Sequence, residues 1–226
     1  MQPLRCSRAS QVFEVCAADE RFIAKTHRVP AAFERECNAL RWGQASGAVP
    51  QLLDADPGAR MLLMAYVPER QQPAPIDGVA YALGRLHEGL AAGARADGAQ
   101  RLGAAARTPP GWVVDADAYV EAVTRYAGAV GFGHVAVAIG DIKAEHIRGD
   151  AEVVFIDLET FSPGVVEHMD VLTLANLTDA ALGGAEWSDI LAAYWRGRGL
   201  APPGGLGLQL EVLRAAARAV GEETTW

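Results

Sequence analysis

The chain reads as an α+β protein of two lobes. A small, largely antiparallel sheet carrying one helix comes first, and a mainly helical lobe holding one further hairpin follows. Three observations predict this. Short runs rich in β-branched and aromatic residues crowd the first 67 positions, helical periodicity dominates later, and a polar, proline-bearing connector separates them. The implied division is 1–67, a connector at 68–76, and 77–226.

Gln11 to Cys16 and Arg21 to Lys25 flank Ala17-Ala18-Asp19-Glu20 and predict a hairpin. Pro30 suits the first position of a helix, and Phe33, Cys37 and Leu40 recur at helical spacing up to Trp42. Gln51 to Asp54 and Met61 to Val67 predict two more strands around the turn Asp56-Pro57-Gly58. Beyond the connector, Leu83, Leu86 and Leu90 mark a helix over 79–90, whereas Ala91 to Gly111, ending in Pro109-Pro110, predicts a mobile loop. A helix is expected from Asp115 or Asp117 to Val130, then a strand at 135–139 and a hairpin at 145–156. Helices resume near Glu167, Trp187 and Leu208.

Composition narrows the function classes. The 226 residues are 50% hydrophobic and 21% charged, ordinary for a soluble globular protein able to bury a core. A formal charge of -8 argues against broad nucleic-acid binding. No apolar run has the length of a membrane span or a signal-peptide core, so a cytoplasmic protein without a membrane partner is expected. Cys6, Cys16 and Cys37 lack zinc-site spacing and are expected as reduced thiols.

The stretch IGDIKAEHIRGDAEVVFIDLE carries the chemistry. Gly149-Asp150 suits a two-residue turn between Glu145 to Arg148 and Val153 to Ile156. Counting back across that turn sets Asp157 near Ile142, beside Asp141. Two carboxylates there could hold a hard cation, or one could hold it while the other accepts a proton. Alone, the pair reads as readily as a solvated strand end. Only two lysines occur, Lys25 at the end of a strand and Lys143 two residues after Asp141, in a chain whose other basic side chains are arginine. A lysine point charge is a common phosphate contact.

GDIKAEHI followed by FIDLE resembles the catalytic loop and metal-binding aspartate of the aminoglycoside phosphotransferase family, relatives of protein kinases. SQVFEV and FIAK resemble its first strands, FERECNALRW the helix bearing its ion-pair glutamate, and MLLMAYVP its last N-lobe strand and hinge. ALGRLH resembles the helix beneath the hinge, and HMDVL supplies Asp170 as the aspartate supporting the catalytic loop. The order of these matches is the specific signal. The resemblance implies a bilobal protein-kinase-like fold and an ATP-dependent kinase using Mg2+. Lys25 would contact the α- and β-phosphates and pair with Glu36, Asp157 would hold Mg2+, and Asp141 would deprotonate the acceptor hydroxyl. Backbone groups of Ala65, Tyr66 and Val67 would meet adenine, and Lys143 the γ-phosphate.

Three departures stand out. His146 replaces the family's second metal-binding asparagine, although Mg2+ prefers oxygen, and Glu159 could supply another oxygen. Ile139 replaces the histidine that commonly precedes the Gly-Asp of this loop. The nucleotide-covering segment CSRASQ has no glycine, which leaves Ser7, Ser10 and nearby amides to meet phosphate. Together these keep open a nucleotide-binding pseudokinase subunit of a biosynthetic complex. Arg85 with His87 is expected to support the lobe, and Trp187, Tyr194 and Trp195 to pack helices.

The short stretch after Asp170 implies a reduced acceptor site. The resemblance implies an alcohol acceptor in antibiotic modification or natural-product biosynthesis, either a small molecule such as an aminoglycoside or a Ser or Thr of a precursor peptide. A peptide acceptor would bring a partner protein such as a lyase or leader-binding protein. An acidic patch near Asp141 would favour a cationic aminoglycoside.

Overall fold

Ser10–Ala17 (β2) and Glu20–His27 (β3) close a two-residue hairpin in which Ala18 and Asp19 both have positive φ, 50° and 67°, the turn that matches strand twist. The computed structural model describes residues 2–6, 9–99, 101–105, 109–177 and 186–222. Sequence reasoning missed Gln2–Cys6 (β1), a short strand paired to β2 with Cys6 opposite Gln11. Leu52–Asp56 (β4) and Met61–Ala65 (β5) complete a five-stranded antiparallel sheet ordered β1-β2-β3-β5-β4. The last of these ends two residues before the expected Val67.

Pro30–Gly43 (α1) starts on its proline and turns Phe33, Glu36, Cys37 and Leu40 inward against the sheet. Cys16 and Cys37 are free thiols.

The second lobe opens with Ile76–Ala96 (α2). It runs six residues past Leu90, where a loop was expected, because Leu90, Ala91 and Ala94 are fully buried and continue the apolar stripe. Leu102–Ala105 (α3) and Ala116–Val130 (α4) follow, the latter capped by Asp115, whose side chain accepts from the Ala118 amide at 2.9 Å. The expected strand at 135–139 shrinks to Val137–Ala138 (β6), which pairs with Ser162–Pro163 (β9).

Between them lies the hairpin of Ile147–Arg148 (β7) and Val154–Phe155 (β8), with Ile147 opposite Phe155. This register corrects the two-residue turn. Residues 149–153 connect the strands because the loop is tied to the connector: the Gly149 amide donates to Pro68 O at 3.0 Å, Arg70 donates to Gly149 O, and Arg148 bridges to Glu69. A 3-10 turn at Ala144–His146 precedes β7 where extended chain was expected.

His168–Thr173 (α5), Trp187–Gly197 (α6) and Gly205–Ala219 (α7) complete the lobe. Tyr194 and Trp195 are each 1% exposed, so both are core as expected. α6 crosses α2 at Gly84 and Gly197. A methyl at Gly84 would run into the Tyr194 carbonyl, and one at Gly197 into that of Tyr81. No helix among the described residues is long and apolar enough to cross a membrane.

Candidate active site

Strand alternation places Lys25 and His27 on one face of β3, and α1 brings Glu36 beneath them. Lys25 Nζ lies 2.7 Å from Glu36 Oε2 and is also bonded to Asp157 Oδ1, so one ammonium joins both lobes. Its side chain is 5% exposed and that of Glu36 2%. Burial alone would lower the lysine pKa, but the charges of Glu36 and Asp157 outweigh it and hold Lys25 above its ordinary value. Glu36 is therefore a buried partner of Lys25 and not part of a solvated helix face.

His27 was not singled out from sequence, although its place two residues after Lys25 in a strand already put it on the same face. Its Nε2 is 2.9 Å from Glu36 Oε2 and its Nδ1 3.5 Å from Glu159 Oε2. His27, Glu36 and Glu159 are close enough together to suggest a cation site. The two ring nitrogens face different carboxylates, His27 Nδ1 and Nε2 and Glu159 Oε2 are buried without a hydrogen-bond partner among the described residues, and Lys25 sits 2.7 Å from Glu36 Oε2. Glu159 is turned toward Lys25, 3.4 Å away, rather than toward His146.

Asp141 and Asp157 are linked, but not by the predicted register. His146, 4% exposed in its side chain, stands between them: Nδ1 is 2.8 Å from Asp141 O and Nε2 is 3.5 Å from Asp157 Oδ2. Asp157 itself has φ 63°, a left-handed conformation that aspartate tolerates better than most residues, and it turns the carboxylate off the end of β8. Lys143 Nζ donates to Asp141 Oδ2 at 2.9 Å, which raises the lysine pKa. Among the described residues Asp141 Oδ1 has no protein partner.

The nucleotide-side expectations fare unevenly. The Ala65 amide donates to Gln51 O at 2.9 Å and the Tyr66 amide to Arg21 O at 3.3 Å, so neither is free for adenine. Val67 supplies the amide of the three with no partner among the described residues. The Tyr66 ring instead lies under the Arg21 guanidinium, 3.6 Å from its centroid. Ser10 is buried opposite His27 in the sheet, on the face that carries Lys25. Ser7 lies outside the described residues.

Behind the loop of Ile139, Gly140 and Asp141, Asp170 is fully buried and accepts from the Ile139 amide at 2.5 Å and the Gly140 amide at 2.8 Å. His87 Nε2 and Asp170 Oδ2 are 2.9 Å apart, and His87 Nδ1 is 2.9 Å from the Tyr194 hydroxyl. The Tyr194 hydroxyl accepts from Arg198, which also donates to Glu167 at 2.8 Å. Burial raises the Glu167 pKa, yet His134 and Arg198 hold it well below the carboxylate range.

A cavity of about 470 Å³ opens beside Gly140, walled by Trp112, Ala138, Val165, Met169 and Leu172. Arg35 lines its N-lobe side and donates to Glu159 O at 2.7 Å. Neither Arg35 nor Trp112 was marked from sequence, and nothing in their spacing singles them out.

No family sequence model matches the chain, and no curated protein matches it at significant similarity. Its structure is similar to a macrolide 2'-phosphotransferase from Brachybacterium faecium, with a TM-score of 0.57, 16% identity, and coverage of 100% of this chain and 92% of that one. A choline/ethanolamine kinase family protein from Mesorhizobium loti gives a TM-score of 0.55 at 15% identity, covering 95% of this chain and 75% of that one. An aminoglycoside phosphotransferase from Alicyclobacillus acidocaldarius gives 0.51 at 16% identity, covering 97% and 78%. At these identities the likeness is one of architecture, and the chain has the bilobal protein-kinase-like fold that these phosphotransferases and kinases share.

Proposed function

We propose that the protein is an ATP-dependent phosphotransferase that moves the γ-phosphate to an alcohol hydroxyl. The observation that carries this reading is Lys25, whose ammonium engages Glu36 of one lobe and Asp157 of the other, with His146 joining Asp157 to the loop of Asp141. Lys25 is positioned to trade its Asp157 contact for phosphate oxygens while Glu36 keeps it in place. His146 fixes the Asp141 backbone, and Lys143 holds one carboxylate oxygen so that Oδ1 can accept the proton of the incoming hydroxyl. Asp157 would hold a divalent cation once Lys25 turns to the phosphates, and that cation would neutralise charge on them.

The cavity beside Gly140 favours a compact small-molecule acceptor over an extended peptide. Its wall is mainly apolar, Arg35 and Glu222 bring one charge of each sign to it, and the Asp170 carboxylate beneath it is already satisfied by His87 and two amides. One further carboxylate offset by one guanidinium is not the strongly acidic surface that a polycationic aminoglycoside would need. An acceptor with an apolar body and few positive charges fits better, in antibiotic modification or natural-product biosynthesis. A lyase or leader-binding partner belongs to the peptide alternative.

The test is incubation with Mg-ATP and three acceptor panels: neutral apolar alcohols, aminoglycosides and Ser/Thr peptides. Products are read by intact mass, with Asp141→Asn as control. Phosphorylation of the apolar panel, lost in Asp141→Asn, is expected. Equal product from the variant would overturn the assigned base. Nucleotide binding without any product would favour the pseudokinase alternative.

A further inference from the structure

Two side chains of opposite charge line the cavity beside Gly140. Arg35, on α1 of the first lobe, donates from Nε to Glu159 O at 2.7 Å, which sets the plane of its guanidinium. Among the described residues its terminal nitrogens meet no acceptor, and the Glu222 carboxylate, just past α7, meets no cation. The two do not pair with each other. Other polar groups around the cavity are already engaged: Thr160 Oγ1 donates to Ile139 O, Thr173 Oγ1 to Asp170 O, and the Asp170 carboxylate is held by His87 and two amides. The rest of the wall is mainly apolar, with Val165, Met169 and Leu172 buried and Trp112 53% exposed.

A guanidinium tied down through Nε keeps a terminal fork that matches a carboxylate in two parallel bonds. An ion pair also gains as water is displaced around it, and an occupant of this cavity would displace water from both charged groups at once. We propose that the acceptor is a compact zwitterion, a hydroxyl-bearing amino acid with an apolar body, whose carboxylate is read by Arg35 and whose ammonium is read by Glu222. A neutral alcohol satisfies the wall and neither charge, whereas an aminoglycoside brings several ammonium groups against one guanidinium and one carboxylate. The transfer is that of the phosphotransferase reading, on which the inference rests in taking this cavity as the acceptor site. The acceptor oxygen bonds to the γ-phosphorus as the bond to the ADP oxygen breaks, and the hydroxyl proton passes to Asp141.

The test uses serine, threonine and β-phenylserine, each as the free zwitterion, the methyl ester, the N-acetyl acid and the doubly blocked neutral form. Binding to the full chain is read by calorimetric titration, and phosphorylation with Mg-ATP by intact mass. Each zwitterion is expected to bind roughly tenfold or more tighter than its neutral form, the span of hydrogen bonds to charged groups. Arg35→Gln should erase the discrimination against the methyl esters alone, and Glu222→Gln that against the N-acetyl acids alone, with circular dichroism confirming that both variants are folded. Equal binding of zwitterionic and neutral forms, no binding of any zwitterion, or unchanged discrimination in either folded variant would overturn the proposal. Phosphorylation of neutral alcohols as readily as of zwitterions removes this inference alone. Binding that follows both charges in a protein that transfers no phosphate leaves it standing and removes the catalytic reading.

Discussion

The imidazole of His87 lies 2.9 Å from Asp170, the same carboxylate that receives the backbone amides of Ile139 and Gly140. Ile139 has no side-chain donor where the loops it resembles commonly carry a histidine. Donation from α2 therefore helps to orient the buried aspartate, and through it the backbone just before Asp141. His87→Phe is expected to lower kcat by as much as ~10²-fold, since small misplacements near the chemistry are costly, while KM for ATP holds. Steady-state kinetics check this; an unchanged kcat would make His87 structural only.

Removing Lys25 should act on stability and on nucleotide binding separately. Lys25→Met strands Glu36, whose side chain is 2% exposed, and breaking such a buried pair costs about 3–5 kcal/mol. The double variant Lys25→Met/Glu36→Met should recover much of that stability and none of the nucleotide affinity. Urea unfolding and calorimetric titration with ATP separate the two effects.

Lys143 should behave in the opposite way. Its ion pair with Asp141 is between side chains 50% and 40% exposed, so Lys143→Ala should leave the unfolding temperature nearly unchanged. Phosphoryl transfer should fall roughly 10- to 100-fold if its charge meets the transferred group. Thermal denaturation beside a rate assay would show the dissociation.

His168 predicts an acid limit. Burial pushes its pKa from 6.5 down to about 4, against smaller opposing effects of Glu167 and Gln209. The unfolded state thus takes up a proton that the folded state refuses between those values. Stability is complete above pH 6.5 and declines as pH falls toward 4, by at most ~3 kcal/mol. Denaturant midpoints across this window should flatten in His168→Asn. A midpoint independent of pH in the wild type would contradict the assignment.

The order of strands and helices was legible because the hydrophobic pattern changes period at the connector. So was the Lys25–Glu36–Asp157 constellation, whose residues lie in a recognisable order. The hairpin register was not: Gly149-Asp150 favours a tight turn locally, but Pro68 and Arg70 hold the loop open from a distant part of the chain. Helix α2 outran its predicted end because alanines carry a weak periodic signal in a chain rich in them. His146 was visible as a departure, while its role as a bridge between two aspartates required knowing which nitrogen meets which oxygen. The cavity residues Arg35 and Trp112 come together only through packing and left no trace in spacing.

The crossing of α2 and α6 gives the loop that carries Asp141 an unusual dependency. Tyr194 reaches His87 because Gly84 and Gly197 let two backbones meet where any side chain would hold them apart. A methyl added at Gly84 would touch no atom of the reaction, yet it would lift the hydroxyl from the imidazole and loosen the alignment passed on through Asp170. Sensitivity to mutation in this lobe should therefore follow the path of contact to the loop rather than distance from it, and two absent side chains lie on that path.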